Sequence, residues 1–137
     1  MTITNPTRSE IGEILKESKT IAVVGLSDNP ERTSYMVSKA MQDAGYRIIP
    51  VNPKVDAVLG EKAVKSLGEV KEHVDIVNVF RRSEFLMDVA KEFVLIDADV
   101  FWAQSGVQDE ETYQFLKEKG HTVIMDRCIK VEHAMTK

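Results

Sequence analysis

The stretch IAVVGLSDNPERTSYMVSKAM, residues 21–41, decides the fold. It begins as an uninterrupted apolar, β-branched run, the mark of a strand buried on both faces. A polar loop follows. From Ser34 onward Met36, Val37, Ala40, Met41 and Ala44 fall on one helical stripe, with Gly45 placed to end the helix. Strand, loop and helix in this order form the first half of a nucleotide-binding crossover. A glycine-rich fingerprint would place glycines at 25, 27 and 30; here Gly25 is followed by Ser27 and Pro30. The loop therefore reads either as a phosphate cradle built from side chains or as a plain turn capped by Ser34.

Outward from this stretch the alternation continues. Before it, Thr7 and Glu10 stand at capping-box spacing ahead of Ile11, Ile14 and Leu15, predicting a leading helix over about 7–19. After it come the strand YRIIPVNP, a loop around LGEKA, a short helix near SLGEVKEH and the buried strand VDIVNVF. Leu86, Val89, Ala90 and Phe93 then mark a helix face, ADVFWAQ a fourth strand and HTVIMD a fifth. Between those two strands, DEETYQFLKEKG carries acids in its first turn, lysines in its last and Gly120 beyond, as the helix macrodipole favours. The C-terminal RCIKVEHAMTK reads as a tail. Alternating strands and helices imply an α/β fold, a Rossmann-like three-layer sandwich with a five-stranded parallel sheet in the order 3-2-1-4-5.

The 137 residues fit one domain, with a nucleotide-binding core over about 20–133. A net charge of −4 gives no general positive field, so nucleic acid and anionic membranes are not expected partners. No apolar run approaches the roughly 20 residues of a membrane span. A single cysteine, Cys128, and no signal-peptide pattern lead us to expect a cytoplasmic protein. Homodimers are common among small α/β domains, but no motif here fixes an oligomeric state.

Ligands of open α/β sheets bind beyond the carboxyl ends of the strands. Four loops should meet there. In the first, Gly25 permits a tight turn and is expected, with Leu26, to meet the ligand; Ser27, Thr33 and Ser34 offer hydroxyls and Arg32 a fork for phosphate oxygens. In the second, Asn52, Pro53 and Lys54 stand where NAD enzymes place an acid for the ribose diol, which favours a phosphorylated ribose: coenzyme A, or NADP as the alternative. In the third, Arg81 and Arg82 precede a helix expected to be capped by Ser83, against the macrodipole at roughly 0.3–1 kcal/mol each. A bound anion would reverse that sign; a salt bridge to Glu84 is the competing account for one of them. Phe80 would pack on an adenine or finish the core. In the fourth, Gln104 and Ser105 are neutral hydrogen-bonding groups, and Trp102 packs beneath them.

Taken together, VVGLSDNPERTSY, GYRIIPVNPK, VDIVNVFRRSE, WAQSGV and VIMDRCIKVEH resemble the small stand-alone CoA-binding proteins. Their domain is similar to the CoA-binding domain of the succinyl-CoA synthetase α-subunit. The resemblance implies a Rossmann-like fold that binds CoA through Gly25, Ser27, Arg32, residues 52–54, Phe80 and Arg81. It does not extend to the synthetase's phosphohistidine loop: His73, His121 and His133 lie in no glycine-rich nucleophile segment. We therefore expect binding of CoA or acyl-CoA without catalysis, with no catalytic set and no metal. Asp126, Cys128, Glu132 and His133 match no zinc spacing. An NADP-linked enzyme, and a thiol sensor forming a CoA mixed disulfide at Cys128, are the competing functions.

Overall fold

The computed structural model describes residues 2–136. Helix α1 (Arg8–Glu17) leads into β1 (Thr20–Val24), α2 (Thr33–Asp43) and β2 (Arg47–Val51). A small antiparallel pair follows, β3 (Ala57–Val58) and β4 (Glu61–Lys62), then a 3₁₀ turn at Leu67–Glu69 and β5 (Val74–Val79). A second 3₁₀ turn (Ser83–Phe85) enters α3 (Leu86–Phe93); β6 (Ala98–Ala103), α4 (Glu110–Glu118), β7 (Thr122–Ile124) and α5 (Ile129–Thr136) complete the chain.

The α/β class and the five-stranded parallel sheet are as expected, and the sheet runs β2-β1-β5-β6-β7. The VDIVNVF strand lies beside β1, not outside β2. The outer place beside β2 is held by a one-residue parallel bridge from Val51 to Val64. Counting that bridge as the third strand restores the 3-2-1-4-5 pattern, with β7 continuing it. β1 is thus the switch point: the chain leaves it toward β2 on one side and returns to β5 on the other. Pro50 fits β2 because its carbonyl, and hence its missing N–H, faces the sheet's rim, where Val64 donates to it (3.0 Å).

Alternate strand residues feed two cores. Ala22, Val24, Val77, Val79 and Phe101 pack with Leu86, Val89, Phe93 and Leu116 of α3 and α4. Ile21, Val23, Ile48, Ile76 and Trp102 pack with α1, α2 and α5 through Ile11, Leu15, Val37, Met41 and Ile129. The capping box forms: Thr7 Oγ accepts from Glu10 N–H, while Thr7 N–H donates to the Glu10 carboxylate (2.8 Å).

Three expectations change. The SLGEVKEH helix shrinks to the turn at Leu67–Glu69. The LGEKA loop holds the β3–β4 hairpin, whose connecting pair Leu59 and Gly60 both have positive φ (56° and 78°), the two-residue geometry that matches strand twist. The tail is helix α5. Its entry is fixed by Gln104, whose Oε1 accepts from Ile129 N–H (2.9 Å), and it is tethered by Glu132, buried against Arg8 of α1 (3.2 Å). Ahead of α1, Asn5 pairs its amide with both backbone groups of Met125, covering the rim beyond β7. No helix among the described residues is long and apolar enough to cross a membrane.

Candidate functional site

A cleft of about 980 Å³ opens at the carboxyl edge of the sheet. It is where the switch point predicts a ligand crevice. Of the anticipated residues, Gly25, Ser27, Arg32, Ser34, Asn52, Pro53, Lys54, Phe80 and Arg81 all line it. Leu26 and Gln104 do not. Leu26 is buried in the core and presents only its carbonyl, which accepts from Asn52 Nδ2 (2.9 Å). Gln104 is buried and occupied at the start of α5.

The first loop is built from its own hydroxyl and amide groups. Ser27 N–H donates to Ser34 Oγ, Asn29 N–H to Ser27 Oγ and Glu31 N–H to Asn29 Oδ1, each at 3.0 Å. Side chains thereby shape a turn that glycines would otherwise permit. Both serine hydroxyls accept a bond here and keep their own hydrogens to donate. The N-cap of α2 is Arg32, not Ser34, and no side chain caps it; no acid occupies the first turn. The start of α2 is thus left without a side-chain cap where Thr33 and Ser34 line the cleft, an arrangement suited to holding an anion.

Gly25 makes the geometry close. Its φ is +86°, and a Cβ there would lie 2.5 Å from the Phe80 carbonyl oxygen. Gly25 N–H donates to Val51 and Phe80 N–H to Val24 (both 2.9 Å), so the ends of β1, β2 and β5 are stitched together beneath the cleft. Phe80 is half-buried, packing on the core while contributing to the lining.

In the third loop, the cap of the Ser83–Phe85 turn is Arg82; Ser83 Oγ instead accepts from Gln108 N–H (3.0 Å). Arg82 approaches Glu84 at 3.8 Å, while Arg81 stacks over the Phe85 ring at 4.6 Å. Among the described residues, Arg32, Lys54 and Arg81 have no carboxylate partner within 4 Å. Three unpaired cations from three separate crossovers converge on one cleft. Glu31, Lys65, Ser66, Leu67 and Glu92 also line it without a signal in the sequence; Lys65 follows a bridge of a single residue that leaves no strand pattern to read.

Elsewhere, the four groups weighed as metal ligands are otherwise engaged or apart. Asp126 accepts from Gly106 N–H (2.7 Å), Glu132 pairs with Arg8, and His133 lies edge-on to Tyr46. Cys128 is half-buried against the α1–α2–α5 core and outside the cleft lining.

At the amino edge of the sheet, His73 contacts Asp97 (3.0 Å), Asp99 (3.1 Å) and Asp75 (3.4 Å). The Asp97 hydrogen bond raises the His73 pKa above 6.5, opposed by slight burial and aided by the charges of Asp99 and Asp97. Burial pushes Asp75 upward, but donation from Lys19 and Thr20 N–H and from His73 outweighs it, leaving its pKa below 3.8. A raised histidine stabilises the fold fully below its unfolded value of about 6.5 and loses that contribution as pH climbs through the folded value. Asp75 contributes above 3.8 and loses its effect as pH falls through its lower folded value. Urea titrations at pH 6 and pH 9 should therefore show a decline in the wild type that His73→Gln flattens. An equal decline in both would remove His73 as its source.

Residues 19–134 match the family described as a CoA binding domain. The uncharacterized protein YneT of Bacillus subtilis is 69% identical over 133 residues, covering 97% of this chain and 98% of its own. The α-subunit of an ADP-forming acetate–CoA ligase II from Pyrococcus furiosus is 34% identical over 81% of this chain, which spans 27% of that subunit. A solved structure from Thermus thermophilus superposes with a TM-score of 0.92 at 39% identity, covering 96% of this chain and all of that one. On this match, read with the crevice at the carboxyl edge, the chain belongs to the CoA-binding domain family.

Proposed function

We propose that this chain binds coenzyme A or an acyl-CoA in the carboxyl-edge cleft and carries out no chemistry on it alone. The observation that supports this best is the convergence of Arg32, Lys54 and Arg81 on one cleft beside the uncapped start of α2. The uncapped helix and Arg32 suit a pyrophosphate, Lys54 a phosphorylated ribose, and Phe80 offers an apolar face for the adenine. Asn52 serves structure as much as recognition: its Nδ2 holds the first loop through Leu26, and its Oδ1 accepts from Lys54 N–H (2.9 Å), setting the turn that presents Lys54. The lining contains no histidine or cysteine; of its two carboxylates, Glu92 is engaged by Gly68 N–H (3.1 Å), and Glu31 stands beside the cations of the first loop with no histidine or cysteine in the lining to pair with it.

Calorimetric titration with CoA, acetyl-CoA, dephospho-CoA and NADPH tests the reading. CoA should bind, and dephospho-CoA should bind about tenfold or more weakly, as the loss of one charge-assisted contact implies. NADPH binding without CoA binding would replace this reading with the NADP alternative. Equal affinity for CoA and dephospho-CoA would remove the phosphate role given to Lys54.

A further inference from the structure

Lys65 stands apart from the expected site in chain position yet enters the same cleft. The Val51–Val64 bridge, with Asn52 N–H donating to Val64 (2.9 Å), lays residue 65 alongside the loop that carries Lys54. The Lys65 ammonium donates to the Val55 carbonyl (3.0 Å) and to Asp56 Oδ1 (3.2 Å). The Lys65 side chain is half exposed and that of Asp56 fully exposed. An ion pair so open to water is weak, and does not hold the lysine against a better anion.

We infer that Lys65 is a second ligand-contacting cation at the phosphorylated ribose and, with Lys54, sets the preference for CoA over its dephosphorylated form. The inference rests on the CoA-binding reading. In the free protein Asp56 holds Lys65 at the wall of the cleft. On binding, the ammonium exchanges that carboxylate for the ribose phosphate, a dianion and a stronger acceptor. No covalent step is involved.

The ratio of dissociation constants for dephospho-CoA and CoA is the measurement, taken by calorimetry on the intact chain. Lys65→Ala should shrink that ratio about 5–10-fold by weakening CoA alone, as expected for one charge-assisted bond in a partly solvated site. Lys65→Arg should keep most of it. Asp56→Asn, which frees the lysine and removes a nearby negative charge, should tighten CoA about two- to threefold without altering dephospho-CoA. This second variant decides the matter should Lys65→Ala fold poorly. A merely structural Lys65 would weaken both ligands equally; an unchanged ratio in Lys65→Ala, or unchanged CoA affinity in Asp56→Asn, overturns the proposal. Failure of the wild type to bind CoA at all overturns the reading beneath it, and is a different result.

Discussion

Gly25→Ala should both destabilise the fold and abolish ligand binding, the largest effect expected of any single methyl group in this chain. Two costs add. A left-handed backbone costs an L-residue roughly 1–2 kcal/mol. The new Cβ would also meet the Phe80 carbonyl oxygen at 2.5 Å, a backbone atom that cannot rotate aside. Overpacking of this kind costs typically about 1–3 kcal/mol, so about 2–5 kcal/mol is at stake in all. That is a large part of the roughly 5–15 kcal/mol that separates folded from unfolded domains. The Phe80–Arg82 loop must retreat to relieve the clash, carrying Arg81 away from Arg32. Gly120→Ala is the matched control, because Gly120 has nearly the same φ (+84°) with nothing within 4 Å of its Cβ position. Thermal melts of both variants separate strain from close approach. Gly25→Ala should melt several degrees below Gly120→Ala and lose CoA binding, whereas Gly120→Ala should bind as the wild type does. Equal melting temperatures would mean that the Gly25–Phe80 approach has no energetic weight.

Arg32→Ser should move stability and affinity in opposite directions. Arg32 is the N-cap of α2, a place that favours serine and disfavours a cation. A serine cap contributes about 0.5–2 kcal/mol over a residue that cannot cap, and removing the cation relieves roughly 0.3–1 kcal/mol more. The variant should therefore resist urea better, with a higher midpoint and an unchanged slope. CoA affinity should fall about 10–100-fold, the loss of one or two charge-assisted bonds to phosphate. A residue that weakens its own helix is retained most simply by a benefit in the bound state. Lower stability together with unchanged affinity in Arg32→Ser would make Arg32 a structural residue and leave α2 without a role in phosphate binding.

The layering was legible because it depends on local composition. Strands such as VDIVNVF are apolar on both faces only where helices cover both faces, and Ile21 and Ala22 do feed opposite cores. The cations of the cleft were legible for a related reason: Arg32, Lys54 and Arg81 each follow a readable strand. What escaped notice depended on contacts distant in sequence. Lys65 follows a strand of one residue, which has no periodicity. Helix α5 has a weak apolar stripe and is held by Gln104 and by Arg8, 25 and 124 residues away. Gln104 illustrates the limit from the other side. A neutral amide at the end of β6 reads in the sequence as part of the crevice, but it lies buried one layer below, serving the start of α5.

Trp102, the chain's one indole, is wholly buried, and its N–H donates to the Arg127 carbonyl (2.8 Å) on the side of the sheet away from α3. Its fluorescence should consequently be that of a dry, hydrogen-bonded chromophore, shifting to longer wavelength only when β6 and α5 separate. Emission will serve as a clean reporter of global unfolding and stay nearly silent while CoA enters and leaves. An absence of quenching in a titration is thus no sign of an empty protein.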